Sequence, residues 1–177
     1  MKRKDARPRV VFDCMLYLQA AANEQGTAAI ALRLLDEGAF SLFLSREILA
    51  EVQDVLSRPK VRARNPGISD DNLRALLKRL GEKANLVKSA PRVFHYARDP
   101  KDEPYLNLAA AVDADFLVSR DTDLLDLMTG YSDDCKEFRR RFRKLTIVPP
   151  LEFLSQIARS RNCSLEELLS AYRRSGP

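Results

Sequence analysis

The stretch ADFLVSRDTDLLDL, residues 114–127, gives the clearest sign of how this chain folds. The apolar run FLVS is typical of a buried strand, and TDLLDLMT after it has the apolar spacing of a short helix. Asp121 lies where the predicted strand gives way to the helix. A strand followed at once by a helix is one unit of an α/β fold, and it leaves the aspartate at the carboxyl end of the strand.

The same alternation runs along the whole chain. Further strands are predicted at RVVF, FSLFLS, NLVKS and KLTIV, with helices between them. Thr27 and Ser45 are candidate caps of the two helices on either side of FSLFLS, and Gly38 is a candidate stop. The segment VRARNPGI is expected to be a basic loop, and APRVFHYARDPKDEP a connection. We therefore predict an α/β fold with a mostly parallel sheet that helices cover on both sides.

Bulk composition narrows the classes of protein. The chain has 177 residues, the size of one domain, and 45% of them are hydrophobic, enough for a core. The net charge of +5 fits a nucleic-acid partner, although many basic proteins bind none. Three cysteines without a C-x-x-C pair indicate reduced thiols and a cytoplasmic protein. No apolar run approaches the roughly 20 residues of a membrane span, and no secretory signal is recognised.

The single histidine directs attention to the carboxylates. With only His95, a Ser-His-Asp triad or a multi-histidine metal site is hard to build, and a surface or packing role is expected for it. Asp13 follows VVF, as Asp121 follows FLVS, so two strands deliver an aspartate to the same edge of a parallel sheet. Each of these could instead simply cap the helix behind it. Asp102, before the helix EPYLNLAAA, has the same two interpretations.

Glu51 completes the set of candidate acids. On its predicted helix it lies beside the apolar stripe rather than opposite to it. An acid at the margin of the core needs a partner, because burial of an unpaired carboxylate is costly. A salt bridge to an arginine and a bound cation both remain open. Four carboxylates in one pocket would be tolerable around a hard cation such as Mg²⁺ or Mn²⁺, whose characteristic use is to hold a phosphate and activate water for in-line attack.

Four segments together resemble a bacterial PIN domain, closest to the toxin components of toxin–antitoxin systems. These segments are RVVFDCMLYLQAA, LFLSREILAEVQDVLSRPKV, RDPKDEPYLNLAAAVDADFLVSRDTDLLDL and LTIVPPLEFL. The resemblance extends over about residues 9–158 and implies a metal-dependent ribonuclease with a three-layer α/β/α fold. It divides the chain into a nuclease domain, residues 1–160, and a C-terminal helical extension, residues 161–177, which we expect to be loosely attached. It also implies RNA as the substrate, a cognate antitoxin and a homodimer.

The resemblance assigns roles to particular residues. It implies that Asp13, Glu51, Asp102 and Asp121 are catalytic and hold one or two Mg²⁺ or Mn²⁺ ions, with Asp123 as an auxiliary metal ligand. Asp99 fits the first, variable aspartate of the family's Asp-x-x-Asp motif, and we interpret it as a turn residue before Pro100. Ser119 is expected to bind the metal-bound water or the substrate. The remaining predicted substrate contacts are Arg120, Arg139, Arg140 and Arg141.

Several of these assignments leave alternatives open. Met15 stands where the family typically has an asparagine that organises the acidic pocket. Arg120 could grip a phosphate, or pair with an acid and damp metal binding. In the cluster KEFRRRFRK, residues 136–144, we expect the two phenylalanines to anchor the segment to the core, while phosphate contact by its arginines is open. RPKVRAR, residues 58–64, is a second candidate phosphate track, on a loop.

Two other functional classes compete with the ribonuclease. A degenerate PIN domain could bind RNA or a protein without cutting, and Met15 favours that class. Its weakness is that all four principal acids are retained. A metal-dependent phosphatase that forms an aspartyl-phosphate is a weaker alternative, because it needs a second aspartate two residues after the first, where this chain has DCM.

Overall fold

A computed structural model describes residues 6–174 of the chain. Five strands form one sheet in the order β3-β2-β1-β4-β5, and every neighbouring pair is parallel. The strands are β1 (Arg9–Phe12), β2 (Ser41–Ser45), β3 (Asn85–Val87), β4 (Phe116–Val118) and β5 (Thr146–Val148). The predicted mostly parallel sheet is thus confirmed, and among the described residues it is parallel throughout.

Ten α-helices connect and cover these strands within the described residues. They are α1 (Cys14–Ala22), α2 (Thr27–Asp36), α3 (Arg46–Ser57), α4 (Pro59–Arg64), α5 (Asp70–Lys83), α6 (Glu103–Ala111), α7 (Thr122–Thr129), α8 (Asp133–Arg141), α9 (Pro150–Ser160) and α10 (Leu165–Arg174). A 3-10 turn, Pro100–Asp102, leads into α6. None of these helices combines the length and the apolar character that crossing a bilayer requires.

Both faces of the sheet are buried. Val10, Val11 and Phe12 are at most 1% exposed, and consecutive strand residues point to opposite faces. Helices must therefore cover both sides, and the fold is the three-layer α/β/α sandwich that the alternating pattern predicts. Phe12, Phe40 and Phe153 stack edge to face or tilted against one another in the core.

Side-chain caps fix where several helices begin. The hydroxyl of Ser45 accepts a hydrogen bond from the amide of Ile48 at 3.1 Å, as predicted for the start of α3. Thr27, in contrast, is the first residue of α2, and Gly26 stands at the cap position. Gly38 follows the end of α2 with φ +73°, the left-handed conformation that glycine adopts without strain.

One segment predicted as a basic loop is partly helical. Pro59 starts α4, because its ring sets φ for a first turn and its missing N–H costs nothing there. The guanidinium of Arg62 then forms an ion pair with Asp70 at 2.5 Å, and that of Arg58 pairs with Asp54. These two arginines of the second candidate phosphate track are consequently engaged within the protein.

The C-terminal helix is held more firmly than predicted. Leu168 of α10 is 4% exposed, and the hydroxyl of Tyr172 donates to Glu37 at 2.5 Å. Arg33 of α2 donates to the carbonyl of Tyr172 at 2.8 Å. A capping box starts α10, since Ser164 and Glu167 exchange side-chain to backbone hydrogen bonds. The expectation of loose attachment is wrong, because an apolar stripe and these bonds join α10 to the domain.

Candidate active site

The parallel pairing of β1 with β4 brings the first two candidate residues together. Phe12 is in register with Val118, so the residues that follow, Asp13 and Ser119, emerge side by side at the carboxyl edge. The hydroxyl of Ser119 donates to Oδ2 of Asp13 and accepts from the amide of Asp121 at 2.9 Å. Ser119 is fully buried and thereby links the acids that end two neighbouring strands.

Asp13 serves as a helix cap and as a member of the site at once. Its Oδ1 accepts from the amide of Leu16 at 3.1 Å, which caps α1. Burial, helped by the charge of Asp121, raises the pKa of Asp13 to about 6, although the hydrogen bonds from Ser119 and Leu16 act to lower it. The capping interpretation and the site interpretation are therefore compatible for this residue.

Three further carboxylates lie in a cluster beside Asp13. Asp99, Asp102 and Asp121 each offer one oxygen, and these oxygens lie within 4.8 Å of one another. Asp121 is exposed to solvent and caps α7 through the amide of Asp123 at 2.8 Å. Asp99 accepts from the amide of Lys101 at 3.0 Å, as expected of a turn residue, but it also belongs to the cluster. We refer to these three residues as the acidic cluster.

Asp102 has an environment that a helix cap does not explain. Its side chain makes no capping hydrogen bond to α6, although it stands at the cap position. Its Oδ2 is buried and has no hydrogen-bond partner within the described part of the chain. Burial, and after it the charges of Asp121, Asp99, Asp13 and Asp123, raise the pKa of Asp102 to about 7. A buried carboxylate oxygen without a donor fits a cation ligand.

Glu51 reaches the site through Tyr105. On α3 its side chain is half-buried, next to the buried stripe of Ile48, Val52 and Leu56. The hydroxyl of Tyr105 donates a hydrogen bond to Oε2 of Glu51. Burial, and after it the charges of Glu51 and Asp13, raise the pKa of the Cys14 thiol to about 12. The charges of Glu51 and Asp13 thus both act on Cys14, but Glu51 does not belong to the acidic cluster.

Asp123 is paired with an arginine and does not belong to the acidic cluster. Its Oδ1 lies 2.6 Å from a guanidinium nitrogen of Arg98, and Arg98 also pairs with Asp126 at 2.5 Å. The hydroxyl of Tyr96 donates to the backbone carbonyl of Asp123 at 2.8 Å. The charge of Asp123 still contributes to the raised pKa of Asp102, so the residue acts on the site at longer range.

The four arginines predicted to contact the substrate have different surroundings in the structure. Arg120 is exposed and donates to the hydroxyl of Thr27 at 3.1 Å, and it forms no ion pair with any described acid. Arg139 donates to the carbonyls of Leu127 and Gly130 at 2.8 Å each, so it holds the end of α7. Arg141 donates to the carbonyl of Val93 and pairs with Glu137. Arg140, the third arginine in the run of residues 139–141, is exposed.

Two smaller expectations about packing are confirmed. Phe138 is fully buried, and both Phe138 and Phe142 contact the ring of Phe94, so the aromatic residues of α8 anchor it to the core. His95 is exposed, and its Nδ1 lies 2.6 Å from Glu103, away from the acidic cluster. The departure from the family pattern, Met15, is 48% exposed two residues after Asp13.

A comparison with protein families identifies the chain. A family described as "PIN domain" matches residues 9–123, more than half of the sequence. The chain belongs to the PIN-domain family. The matched range contains Asp13, Glu51, Asp102 and Asp121, while α8 with its arginines lies outside it. No curated protein and no solved structure matches the chain.

Membership in this family and the site geometry agree at a coarse level. The PIN fold is of a nuclease type, and the acidic cluster lies at the carboxyl edge of the sheet, where open α/β folds bind ligands. A donor set made only of carboxylate oxygens suits a hard divalent cation. Sequence reasoning missed Asp99 as a member of the cluster. The sequence feature that could have indicated Asp99 is DPKD, residues 99–102, in which a 3-10 turn brings Asp99 close to Asp102.

Proposed function

We propose that this PIN domain is a ribonuclease that requires Mg²⁺ or Mn²⁺ and hydrolyses internal phosphodiester bonds of RNA. The observation that carries the proposal is Asp102, whose buried Oδ2 has no hydrogen-bond partner among residues 6–174 and whose carboxylate belongs to a cluster with two others. Such an arrangement costs free energy unless a cation neutralises it. Family membership supplies the reaction class, and the net charge of +5 fits a polyanionic substrate.

Each acid has a distinct part in this proposal. Asp99, Asp102 and Asp121 would hold the cation at the open edge, with Asp13 beside them and Glu51 hydrogen-bonded to Tyr105. The cation supplies charge neutralisation on the phosphate and a more acidic water. Ser119 keeps Asp13 and the start of α7 in place through its hydroxyl. Asp123 adjusts the local charge while it remains paired with Arg98.

A bound cation would also change the protonation states of Asp13 and Asp102. The pKa of Asp13, about 6, and that of Asp102, about 7, lie near neutrality, so a proton competes with the cation for both residues. Cation binding stabilises the ionised carboxylates and releases these protons. Once ionised, the carboxylate of Asp13 or Asp102 can accept the proton of the attacking water.

A nuclease assay with acid substitutions tests this proposal. Labelled RNA and DNA of one sequence are incubated with the protein in Mn²⁺, in Mg²⁺ and in a chelator. We expect metal-dependent cleavage of the RNA, which Asp13→Asn and Asp121→Asn each reduce by at least about 100-fold. Asp71→Asn is the matched control, because Asp71 is an exposed acid of α5 that pairs with Arg74 and does not belong to the acidic cluster. Cleavage that survives both site substitutions would come from a contaminant.

A degenerate, non-cutting PIN domain is the second candidate. The exposed thioether of Met15 takes the place of the family's asparagine beside Asp13, which favours this candidate. The same assay separates the two, because a binding module retains RNA without cleaving it in either metal. Met15→Asn then provides the decisive variant, since recovery of cleavage would attribute the defect to this one residue.

The biological setting that the family resemblance suggests is a toxin–antitoxin pair in the cytoplasm. In that setting expression of the protein alone arrests growth, and expression of Asp121→Asn does not. A short reading frame for a DNA-binding protein beside the gene, able to relieve the arrest, would identify the antitoxin. Size-exclusion chromatography with light scattering tests the homodimer. Growth that is unaffected by the wild-type protein contradicts the toxin setting and leaves the nuclease proposal standing.

A further inference from the structure

A long irregular segment leads to one member of the acidic cluster. Residues 88–99 join β3 to the 3-10 turn without forming a helix or a strand, and Asp99 is the last of them. A segment of this kind lacks the ladder hydrogen bonds that fix a backbone, so it needs other bonds to adopt one conformation. We refer to its second half, residues 93–99, as the strap. The place of Asp99 beside Asp102 and Asp121 depends on what holds the strap.

The carboxamide of Asn107 bonds the strap to α6. Its Oδ1 accepts from the amides of Val93 and Phe94 at 2.8 Å each, and its Nδ2 donates to the carbonyl of Phe94 at 3.1 Å. Nδ2 also donates to the carbonyl of Glu103 at 2.9 Å, within α6. Asn107 is 2% exposed, so solvent does not compete for these bonds. A neutral group with two donors and a twice-accepting oxygen is found only in asparagine and glutamine, so this backbone requires a carboxamide.

Tyr96 joins the strap to two helices at once. Its amide donates to Oε1 of Glu103 in the first turn of α6 at 2.8 Å, and its hydroxyl donates to the carbonyl of Asp123 in the first turn of α7 at 2.8 Å. Tyr96 is 1% exposed, so its ring is fixed as well. Asp102 directly precedes α6 and Asp121 directly precedes α7. The strap is therefore bonded to the two helices whose starts carry the other members of the acidic cluster.

These bonds act against an electrostatic force. Carboxylates whose oxygens lie within 4.8 Å of one another repel when they are ionised, and the repulsion favours displacement of the member that is held least firmly. Asp102 and Asp121 stand at helix starts, whereas Asp99 ends the irregular segment. Asp99 is thus the member whose position its own secondary structure secures least, and it depends most on the strap.

We propose that Asn107 is a positioning residue of the cation site, which holds the Asp99 carboxylate beside those of Asp102 and Asp121 through the strap, with Tyr96 as the second anchor. The inference rests on the proposed cation-dependent function and adds to it a residue that contacts neither the cation nor RNA. Asn107 acts by keeping the three carboxylates together before the cation arrives, so its loss lowers the affinity for the cation.

Calorimetric titration with Mn²⁺ measures the contribution of Asn107. For Asn107→Ser, which removes the carboxamide, we expect Kd for Mn²⁺ to rise about tenfold. Tyr96→Phe keeps the buried ring and removes only the donor to the Asp123 carbonyl, so this variant stays folded and its Kd rises about threefold. Asn65→Ser is the matched control and should bind Mn²⁺ like the wild type. The Asn65 carboxamide also donates to a backbone carbonyl, that of Val61 in α4 at 2.8 Å, but it does not contact the strap.

Two further measurements separate positioning from a general loss of structure. In the Asp99→Asn background, Asn107→Ser should change Kd for Mn²⁺ by less than about twofold, because the carboxylate that it positions is already gone. Amide hydrogen exchange in a chelator gives a readout without metal. The amide of Lys101 donates to Oδ1 of Asp99 at 3.0 Å and should exchange about tenfold faster in Asn107→Ser. The amide of Leu16, which donates to Asp13 at 3.1 Å, should keep its rate, whereas global destabilisation accelerates both amides.

The outcomes are distinguishable from those that test the nuclease itself. A wild type that binds Mn²⁺ without cutting RNA overturns the ribonuclease proposal, while the Kd values still decide the role of Asn107. A wild type that binds no Mn²⁺ overturns both. Positioning alone is overturned if Asn107→Ser and Tyr96→Phe bind Mn²⁺ like the wild type, or if Asn107→Ser weakens binding equally with and without the Asp99 carboxylate. Equal acceleration of the Lys101 and Leu16 amides also overturns it.

Discussion

The hydroxyl of Tyr105 donates a hydrogen bond to the carboxylate of Glu51, and this bond joins α6 to α3 beside the acidic cluster. Tyr105 lies three residues after Asp102, so the same helix carries a member of the cluster and the group that orients Glu51. Tyr105 itself is 3% exposed, which leaves its ring little freedom. The position of Glu51 therefore depends on a residue that sequence patterns class as an ordinary core aromatic.

Tyr105→Phe is expected to weaken cation binding without unfolding the domain. The substitution keeps the ring and removes only the donor to Glu51, and loss of an outer partner of this kind typically lowers metal affinity about 10-fold to 100-fold. Isothermal titration with Mn²⁺ measures the change, and thermal unfolding checks the fold. Tyr131→Phe is the control, because Tyr131 is 88% exposed. An unchanged Mn²⁺ affinity would show that Glu51 has no part in the site.

The metal-free protein should lose stability as pH rises. The pKa of Asp102 is about 7 in the folded protein, against 3.8 for an unperturbed aspartate, so the folded state binds its proton more tightly. The cost of burying this carboxylate is absent below about pH 4, grows as pH rises and is complete above about pH 7. This shift corresponds to at most about 4 kcal/mol, and Asp13 acts in the same direction.

Denaturant titrations in a chelator at about pH 5 and about pH 8 measure this effect. Asp102→Asn should raise the free energy of unfolding at the higher pH by about 1–3 kcal/mol and reduce the pH dependence. Mg²⁺ should stabilise the wild type more than the variant, because the ion binds only the folded state. Asp71→Asn serves as the surface control. A metal-free wild type that is more stable at pH 8 than at pH 5 would contradict the raised pKa values.

Ser119→Ala is expected to shift the pH dependence of cation binding upward. The hydrogen bond from Ser119 lowers the pKa of Asp13, so its removal leaves burial less opposed and raises that pKa above about 6. Since Mn²⁺ competes with the proton, half-maximal binding should move to higher pH by about one unit. Stability should fall by about 1–3 kcal/mol, because Asp13 and the amide of Asp121 both lose a partner.

Mn²⁺ titrations at several pH values provide the readout for Ser119→Ala. Ser57→Ala is the control, since the Ser57 hydroxyl only donates to the Gln53 carbonyl on the surface of α3. A loss of stability without any shift of the binding curve would make Ser119 a packing residue alone.

The two neighbouring arginines of α8 should separate stability from RNA binding. Arg139→Ala removes two hydrogen bonds to the carbonyls at the end of α7, at a cost of about 1–3 kcal/mol of unfolding free energy. Arg140 is exposed, so Arg140→Ala should leave stability within about 0.5 kcal/mol. If α8 contacts phosphates, only Arg140→Ala lowers the salt slope of RNA binding, by about 0.7. Equal slopes in the wild type and in Arg140→Ala would remove α8 from the interface.

Much of the site could be predicted because it follows directly from local pattern. Asp13 and Asp121 each come after a buried apolar strand, and parallel strands end at one edge, so their placement needs no long-range information. Glu51 could be identified from its angle to the apolar stripe of α3. The helical spacing of Phe138 and Phe142 likewise indicated anchoring, which their contact with Phe94 bears out.

Other assignments could not follow from pattern, because they depend on distant partners. Asp123 has the spacing of a ligand, but Arg98, in another segment, pairs with it. Arg139 has the charge of a phosphate contact but binds backbone carbonyls of α7. Asp99 was interpreted as a turn residue only, and its approach to Asp121 arises where the turn before α6 meets the end of β4.

The sequence by itself determined the α/β class, the edge of the sheet where the acids gather and which acids end strands. These follow from hydrophobic periodicity and from residue type at strand and helix boundaries, which act over a few residues. Only the tertiary structure decided that Asp102 keeps a buried oxygen without a donor, that Tyr105 orients Glu51 and that Ser119 bridges two strand ends. The physical reason is that desolvation and hydrogen bonding depend on which distant side chains come within about 3 Å of an atom.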